Sequence, residues 1–245
     1  MTHSPSRSGR FFGIFFILTF LSYGIGSGLT EFATSDINLL AQVAQHKTQL
    51  IIGVVLMAVF HSLFNIALPS LMLPLLKQHS TSVVYAYYGI AIMATTTLVI
   101  GGVFLLMLLP ISDFGSQYLD MGLIFQQGNF YAYQLGMALW GSGGILLCWL
   151  LYLSKAVPVQ FPIWGAIGYL VFIAGTLAEL FGIQIGVLLS MPGGLFEISL
   201  SIWLIVKGFN AAKNTDKAPS LRPSYPALGK AGGDDKGALS FPDPE

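Results

Sequence analysis

Residues 163–183, IWGAIGYLVFIAGTLAELFGI, and residues 185–210, IGVLLSMPGGLFEISLSIWLIVKGFN, are two apolar segments separated by a single residue. Each segment is long enough to cross a hydrocarbon core of about 30 Å as a helix. Each also carries one carboxylate, Glu179 and Glu197, at a depth where hydrocarbon would surround it. An ionisable side chain inside a membrane span is costly and is by default a functional-site hypothesis. The pair predicts two antiparallel transmembrane helices joined by a tight turn.

The composition extends this prediction to most of the chain. Of its 245 residues, 54% are hydrophobic and 9% are charged, whereas soluble domains carry about 25% charged residues. Apolar segments of span length occur six times, at residues 11–30, 50–76, 83–109, 130–153, 163–183 and 185–209. The sequence therefore predicts an all-α polytopic membrane protein, a bundle of six transmembrane helices, with no soluble domain for a phosphate-binding loop or a nucleic-acid interface. These segments are called spans 1 to 6.

The remaining segments are short or polar. Residues 1–10 are a polar N-terminus, and the apolar run after them continues past the usual length of a signal peptide and lacks an Ala-x-Ala site, so an uncleaved span 1 is favoured over a signal peptide. Residues 36–49 have a narrow apolar stripe and predict a helix at the membrane surface. Residues 112–129 form the longest predicted connection. Residues 211–245, rich in Pro, Gly, Ser, Lys and Asp, predict a disordered tail.

The positions of Lys and Arg predict the orientation. All but one of the 11 basic residues lie at the N-terminus, in the connections after spans 2 and 4, or from the end of span 6 onward. Lys47 is the exception. Because basic connections stay on the cytoplasmic side, we expect both termini in the cytoplasm and the protein in the cell (inner) membrane.

Three places carry a family resemblance. One runs from the start of span 2 through Asn65 to Lys77, and another is YAYQLGMALWGSGGILLCWLLYLSK (131–155) followed by Pro158 and Gly168-Tyr169. The most specific is the span 6 pattern of Pro192, Glu197, Trp203-Leu204 and KGFN (207–210). Over residues 13–210 the chain resembles the bacterial six-helix membrane proteins grouped as domain-of-unknown-function family 4386. The resemblance implies a fold and a membrane location but no activity. That family often has an acid where Asn65 stands, so it implies no charge pair there.

Glu197, near the middle of span 6, is the leading candidate for a functional residue. A carboxylate at that depth must be paired, hydrated or protonated. Pro192, Gly193 and Gly194 predict a kink one turn earlier, because Pro192 cannot donate to the carbonyl of Leu188. Interrupted spans form binding sites in transporters. The alternative is a structural hydrogen bond that holds span 6 to a neighbour.

Four further residues complete the candidate ligand- or proton-binding set. Glu179 lies near the outer end of span 5, where it either reaches the interface or pairs with Gln134 of span 4 at a similar depth. His61 and Asn65 are four residues apart on span 2 and so share a helix face near the depth of Glu197. A lone buried histidine is more often a packing residue than a ligand. The other histidines lie outside or at the ends of spans, so no bis-histidine haem is expected, and neither a zinc motif nor a catalytic set is present.

These residues favour a non-enzymatic protein that binds or moves a small or lipid-like ligand through an intramembrane polar pocket. The alternatives are a structural or regulatory membrane subunit without a ligand of its own and, third, an intramembrane enzyme. No catalytic residue, metal or cofactor is expected. The expected partners are the lipid bilayer, a small-molecule or lipid ligand, and a membrane protein or a second copy of the chain, but no nucleic acid. The single Cys148 excludes a disulfide within one chain.

Overall fold

The computed structural model describes residues 5–77 and 79–210 of the chain, and these residues are helical throughout apart from short connections. The predicted disordered tail and the first four residues of the predicted N-terminal segment lie outside the described residues. Six helices are long and apolar enough to cross a membrane: Arg7–Thr34, Lys47–Pro74, Thr81–Ser112, Ser116–Ser154, Gln160–Leu180 and Leu188–Lys207. The prediction of an all-α bundle of six spans is confirmed. The orientation stays a prediction.

The six spans form a ring in chain order. Each span packs against the next one, and span 1 (helix Pro5–Thr34) packs against span 6 (helix Gly186–Lys207), which closes the ring. One buried apolar cluster, with Phe12, Leu147 and Leu200 among its members, fills the end of the bundle near the termini. A second cluster, with Ala33 and Leu105, fills the opposite end. The middle of the ring lies between these clusters, and that is where the polar side chains are found.

Span 2 contains the main irregularity of the bundle. It consists of the helix Lys47–Val54, a π-helical segment Val55–Phe60 and the helix His61–Leu76. The N–H of His61 donates to the carbonyl of Leu56, five residues earlier. A π turn holds one more residue than an α turn and is frequent at functional sites. It therefore sets the helix face on which His61 lies.

Span 4 begins earlier than predicted. Its helix runs over Leu119–Ser154, so most of the predicted connection 112–129 is helix rather than loop. The hydropathy pattern missed this extension because polar residues, among them Asp120, Gln126, Gln127 and Asn129, interrupt its apolar ones. Gln126 has a partner within the protein: its amide donates to the Thr34 carbonyl at the end of span 1 at 3.1 Å. Span 3 comprises the helices Thr81–Leu106 and Leu108–Ser112, and a 3₁₀ turn at Ser116–Tyr118 precedes span 4.

The predicted surface helix is shorter than residues 36–49 and packs on the protein. It spans Leu39–Gln45, and its side chains Leu39, Leu40 and Val43 are buried among the ends of the spans. The rest of the predicted apolar stripe, Ile37 and Ala44, is exposed. The next residues start span 2, where Lys47 pairs with Asp113 at 2.5 Å.

The connection between spans 5 and 6 is a Schellman turn followed by a cap. Span 5 is the helix Gln160–Leu180, and Gly182 after it adopts φ +80°. The N–H of Ile183 donates to the carbonyl of Ala178, and that of Gly182 to the carbonyl of Glu179. This is the bond pattern by which a glycine in the left-handed region ends a helix. The tight antiparallel turn that the sequence predicts thus has a local cause.

Candidate functional site

Glu197 is a buried carboxylate that ties three spans together. Its Oε1 accepts a hydrogen bond from the Tyr169 hydroxyl of span 5 at 2.5 Å and one from Trp140 Nε1 of span 4 at 3.0 Å. Only 4% of Glu197 is exposed. Because both donors approach Oε1, that oxygen acts as an acceptor twice, and a proton carried by Glu197 would have to lie on Oε2.

His61 presents an unsatisfied nitrogen in the same region. Its Nδ1 lies 3.1 Å from the Thr19 carbonyl oxygen of span 1. A carbonyl only accepts, so Nδ1 must carry the hydrogen and Nε2 of the neutral ring must carry a lone pair. His61 is 5% exposed, and Nε2 has no hydrogen-bond partner among the described residues. Most buried polar atoms are hydrogen-bonded, and an exception needs an explanation.

The two residues line one cavity of about 230 Å³ in the middle of the bundle. Five of the six spans contribute to its wall, and six of its side chains are aromatic rings other than histidine: Phe20, Tyr23, Tyr133, Trp140, Tyr169 and Phe172. The hydroxyl of Thr19, which also lines it, donates to its own helix at Phe16. This inner cavity is thus an aromatic chamber with the carboxyl of Glu197 and the ring of His61 in its wall.

Trp140 stands between His61 and Glu197. Its ring lies 6.0 Å from the His61 ring, centroid to centroid, while its N–H is donated to Glu197. The hydrogen bonds of the described residues do not join His61 to Glu197 directly. The sequence predicts that the two face one another at matching depth; the structure has them on one cavity with an indole in between.

A larger cavity of about 500 Å³ adjoins the inner one on the side away from the termini. Its wall includes the exposed side chains Glu31 and Gln127, so it lies at the protein surface. Tyr23 and Tyr133 line both cavities, and their rings stack with centroids 5.9 Å apart. This tyrosine pair therefore separates the outer cavity from the inner one.

Asn65 lies below the inner cavity, on the side of the termini. It is 1% exposed, and it lines a small cavity of about 10 Å³ whose wall also includes Trp140 and Tyr169. Its Nδ2 has no hydrogen-bond partner among the described residues. His61 and Asn65, which the sequence predicts on one helix face, thus line two different cavities. Trp140 and Tyr169, the two donors to Glu197, line both cavities and lie between them.

Glu179 and Gln134 are the other two predicted residues, and the hydrogen bonds of the described residues do not join them. Glu179 Oε1 accepts from the N–H of Gly186 at 2.7 Å, where span 6 begins. The first N–H groups of a helix lack partners within it, so this carboxylate caps span 6. Gln134 is buried on span 4. Glu179 thus has a structural contact within the protein, and its position at the membrane interface stays a prediction.

Pro192, Gly193 and Gly194 lie within a continuous helix. The helix of span 6 runs through Pro192 without a break, and the kink itself stays a prediction. Gly168 of span 5 lets the two helices approach, because a Cβ there would lie 3.0 Å from the Cα of Gly193. Gly194 lines the inner cavity, and a Cβ there would meet no heavy atom within 4 Å, as at Gly24 across the cavity on span 1.

Sequence reasoning missed Trp140 and Tyr169, the two donors to Glu197. Both belong to stretches quoted for the family resemblance, but only as parts of an apolar pattern. One available signal is chemical: Trp N–H and Tyr O–H usually find a partner when buried. Each lies near the middle of a span, where Glu197 offers an acceptor of matching depth. Which donor points inward depends on helix rotation, and no periodicity fixes that for helices apolar on every side.

A sequence model of one family, described as "Domain of unknown function (DUF4386)", matches residues 11–208. The chain belongs to this family. No curated protein and no solved structure matches the chain. Membership of DUF4386 agrees with the six spans and makes the protein a multi-pass membrane protein whose family has no assigned activity.

Residues of the span 6 pattern, which carries the DUF4386 resemblance, make identifiable structural contacts. Glu197 accepts the two interhelix bonds, and Trp203 packs its ring 5.9 Å from that of Phe161 on span 5. At the end of the pattern, Gly208 adopts φ +72°, and the N–H of Asn210 donates to the Ala156 carbonyl at 2.8 Å. The pattern therefore joins the centre of the bundle to the connection between spans 4 and 5.

Proposed function

We propose that the protein binds a small or lipid-like ligand in the inner cavity between Glu197 and His61. The observation that carries the proposal is the cavity itself: about 230 Å³ at mid-span, lined by the carboxyl of Glu197 and by the ring of His61, whose Nε2 has no hydrogen-bond partner among the described residues. A buried polar atom without a hydrogen bond costs about 1–3 kcal/mol. A ligand, or water that a ligand displaces, would supply the missing partner.

The shape and chemistry of the cavity agree with those of ligand sites. Such sites are concave, mostly aromatic and apolar, and carry a few convergent polar groups. A packing defect would instead be small and apolar, since dry cavities are those without polar walls. The volume corresponds to several water molecules at about 30 Å³ each. Its aromatic wall suits the apolar part of a lipid-like or aromatic ligand.

The second candidate is a structural or regulatory subunit whose polar groups only hold the bundle together. One observation favours it: both hydrogen bonds to Glu197 Oε1 come from other spans. A structural role accounts for Glu197 and Tyr169, but it leaves without a role the cavity and His61 Nε2, for which the described part of the chain supplies no partner. The two readings differ in whether a small molecule reaches the cavity of the native protein.

Cysteine reactivity separates them. Gly194→Cys in a Cys148→Ser background places a thiol on the cavity wall, where a Cβ meets no heavy atom within 4 Å. The matched control is Leu200→Cys, on the same helix but fully buried in the apolar cluster. Ser116→Cys, in an exposed turn, supplies the reference rate. The probe is methyl methanethiosulfonate, a small neutral reagent, applied to the purified native protein.

The proposal expects the thiol at position 194 to react in the native protein and the thiol at position 200 to react only after denaturation. If both thiols react only after denaturation, the centre of the bundle is closed to small molecules. That result would reject a binding function and favour the structural subunit. Equal reaction of both in the native protein would mean that the bundle opens as a whole, and it too would contradict a defined cavity.

A further inference from the structure

We infer that the ligand of the inner cavity is a primary ammonium cation with a small apolar or aromatic body. The inference rests on the proposed function and adds the chemical class of the ligand. It follows from which hydrogen-bonding groups the cavity offers, from the charges in and around it, and from its aromatic wall.

The cavity has an acidic acceptor, the Glu197 carboxyl, in a wall whose lining residues include no Lys or Arg. Trp140 and Tyr169 already donate to Glu197 Oε1, and the Thr19 hydroxyl already donates to Phe16. What remains for a ligand is the rest of the Glu197 carboxyl, together with the Tyr23 and Tyr133 side chains and the His61 ring in the same wall. A primary ammonium group carries three N–H donors and no acceptor, as the lysine side chain does. A carboxylate ligand or a phosphate would bring a second acidic group against Glu197, and the wall includes no Lys or Arg to bind it.

A negative charge on Glu197 would have no Lys or Arg partner inside the spans. Each of the 11 Lys and Arg residues lies at the end of a span or outside the spans. The described residues form a single ion pair, between Lys47 and Asp113, at the surface. A buried charge is stable only when it is paired and hydrogen-bonded. The two bonds to Oε1 meet part of that requirement, and a cation in the cavity meets the rest.

The aromatic wall adds to cation binding and limits the size of the ligand. Cations are attracted to the faces of Trp and Tyr rings within about 6 Å, and the attraction is stronger where water is excluded. The volume of about 230 Å³ is below the roughly 300–1,000 Å³ of sites for drug-sized ligands. A compact amine fits this size, with its apolar body against Phe20 and Phe172.

The outer cavity, like the inner one, has an acidic side chain in its wall. Glu31 is the charged residue in its wall, beside Gln126, Gln127 and Asn129, and the residues lining it include no Lys or Arg. A wall of one sign raises the local concentration of oppositely charged ligands. A cation would therefore meet Glu31 first, then the stacked Tyr23 and Tyr133, and then Glu197. Two cavities in series, each with an acid, form a path suited to a cation.

The test measures protection of the thiol of Gly194→Cys in the Cys148→Ser background. The probe ligands are 2-phenylethylammonium and its neutral analogue of similar shape, 2-phenylethanol, and the reagent is methyl methanethiosulfonate. We expect 2-phenylethylammonium at saturation to slow the reaction at least tenfold and 2-phenylethanol to slow it less than twofold. Adding Glu197→Gln, which keeps an acceptor for Trp140 and Tyr169, should abolish the protection. Glu179→Gln is the matched control, because that carboxylate caps span 6 away from the cavity, and it should leave protection intact.

The outcomes distinguish a failure of the cation inference from a failure of the proposed ligand-binding function. Equal protection by the ammonium ion and the alcohol, protection by neither, or full protection in Glu197→Gln would overturn cation recognition while the cavity remains accessible. Loss of protection in Glu179→Gln would also overturn it, because the effect would then come from general charge. A thiol that does not react at all in the native protein would overturn the proposed function and the inference together.

Discussion

Replacing Glu197 by Ala should destabilise the bundle by about 1–3 kcal/mol. The change leaves the Trp140 N–H and the Tyr169 O–H without their acceptor. Interhelix hydrogen bonds in membrane proteins contribute about 0.6 kcal/mol on average and about 1.7 kcal/mol at most. Two such bonds give the stated range. Removal of the carboxyl also relieves the cost of its burial, so the effect should not exceed the upper limit.

Two further substitutions at the same hydrogen bonds should cause smaller losses of stability. Glu197→Gln keeps an oxygen that accepts from Trp140 and Tyr169, so it should destabilise the bundle less than Glu197→Ala does. Tyr169→Phe removes one of the two bonds and should cost about 0.6–1.7 kcal/mol. The free energies of unfolding come from titration with sodium dodecyl sulfate in mixed micelles, followed by circular dichroism.

The double variant of Glu197→Ala and Tyr169→Phe tests the bond itself. Because the two groups interact, their effects should not add, and the double variant should be less destabilised than the sum of the single variants. Independent sites add within about 0.3–0.5 kcal/mol. Additivity within that margin, or a Glu197→Ala protein as stable as the native one, would refute the described hydrogen bonding.

Three more predictions concern other parts of the chain. Gly144→Ala puts a methyl group against the ring of the tyrosine that donates to Glu197 and should destabilise by about 1–3 kcal/mol, whereas Gly89→Ala, on an open helix surface, should not destabilise, as the same detergent titration can check. Glu179→Ala removes the cap of span 6 and should cost about 0.5–2 kcal/mol in that titration, while Glu179→Gln keeps the accepting oxygen and should cost less. For the predicted orientation, a cysteine at Ser116 should react with an impermeant maleimide on intact cells and one at Ser220 should not, in the Cys148→Ser background; the reverse pattern would overturn it.

The six spans were predictable because hydropathy over about 20 residues is a strong signal, and each span is set by its own sequence. The boundaries of the helices were less predictable. The start of span 4 at Leu119 was missed, since a helix that leaves the membrane carries polar residues such as Gln126, whose partner is the end of span 1. Lys47, which lies within the predicted surface helix 36–49, instead starts span 2 and pairs with Asp113.

The depth of the candidate residues along their spans was predictable, but the directions in which their side chains point were not. Glu197 and His61 follow from their chemistry and their position along the spans, and both line the inner cavity. Asn65 is separated from His61 by the rings of Trp140 and Tyr169, which lie between the two cavities. This separation also depends on the π-helical segment before His61, which no residue pattern predicts. Helix rotation and such insertions come from packing of the whole ring of helices, which a sequence does not display locally.

The contact between a ligand and Glu197 can be measured by infrared spectroscopy. Subtracting the spectrum of Glu197→Gln from that of the native protein isolates the carboxyl bands of Glu197, and the measurement is repeated with 2-phenylethylammonium and with 2-phenylethanol. Our account predicts that saturating ammonium shifts these bands, because its N–H groups bond to the carboxyl, and that the alcohol leaves them in place. Bands that are unchanged by saturating ammonium would contradict a ligand site at Glu197.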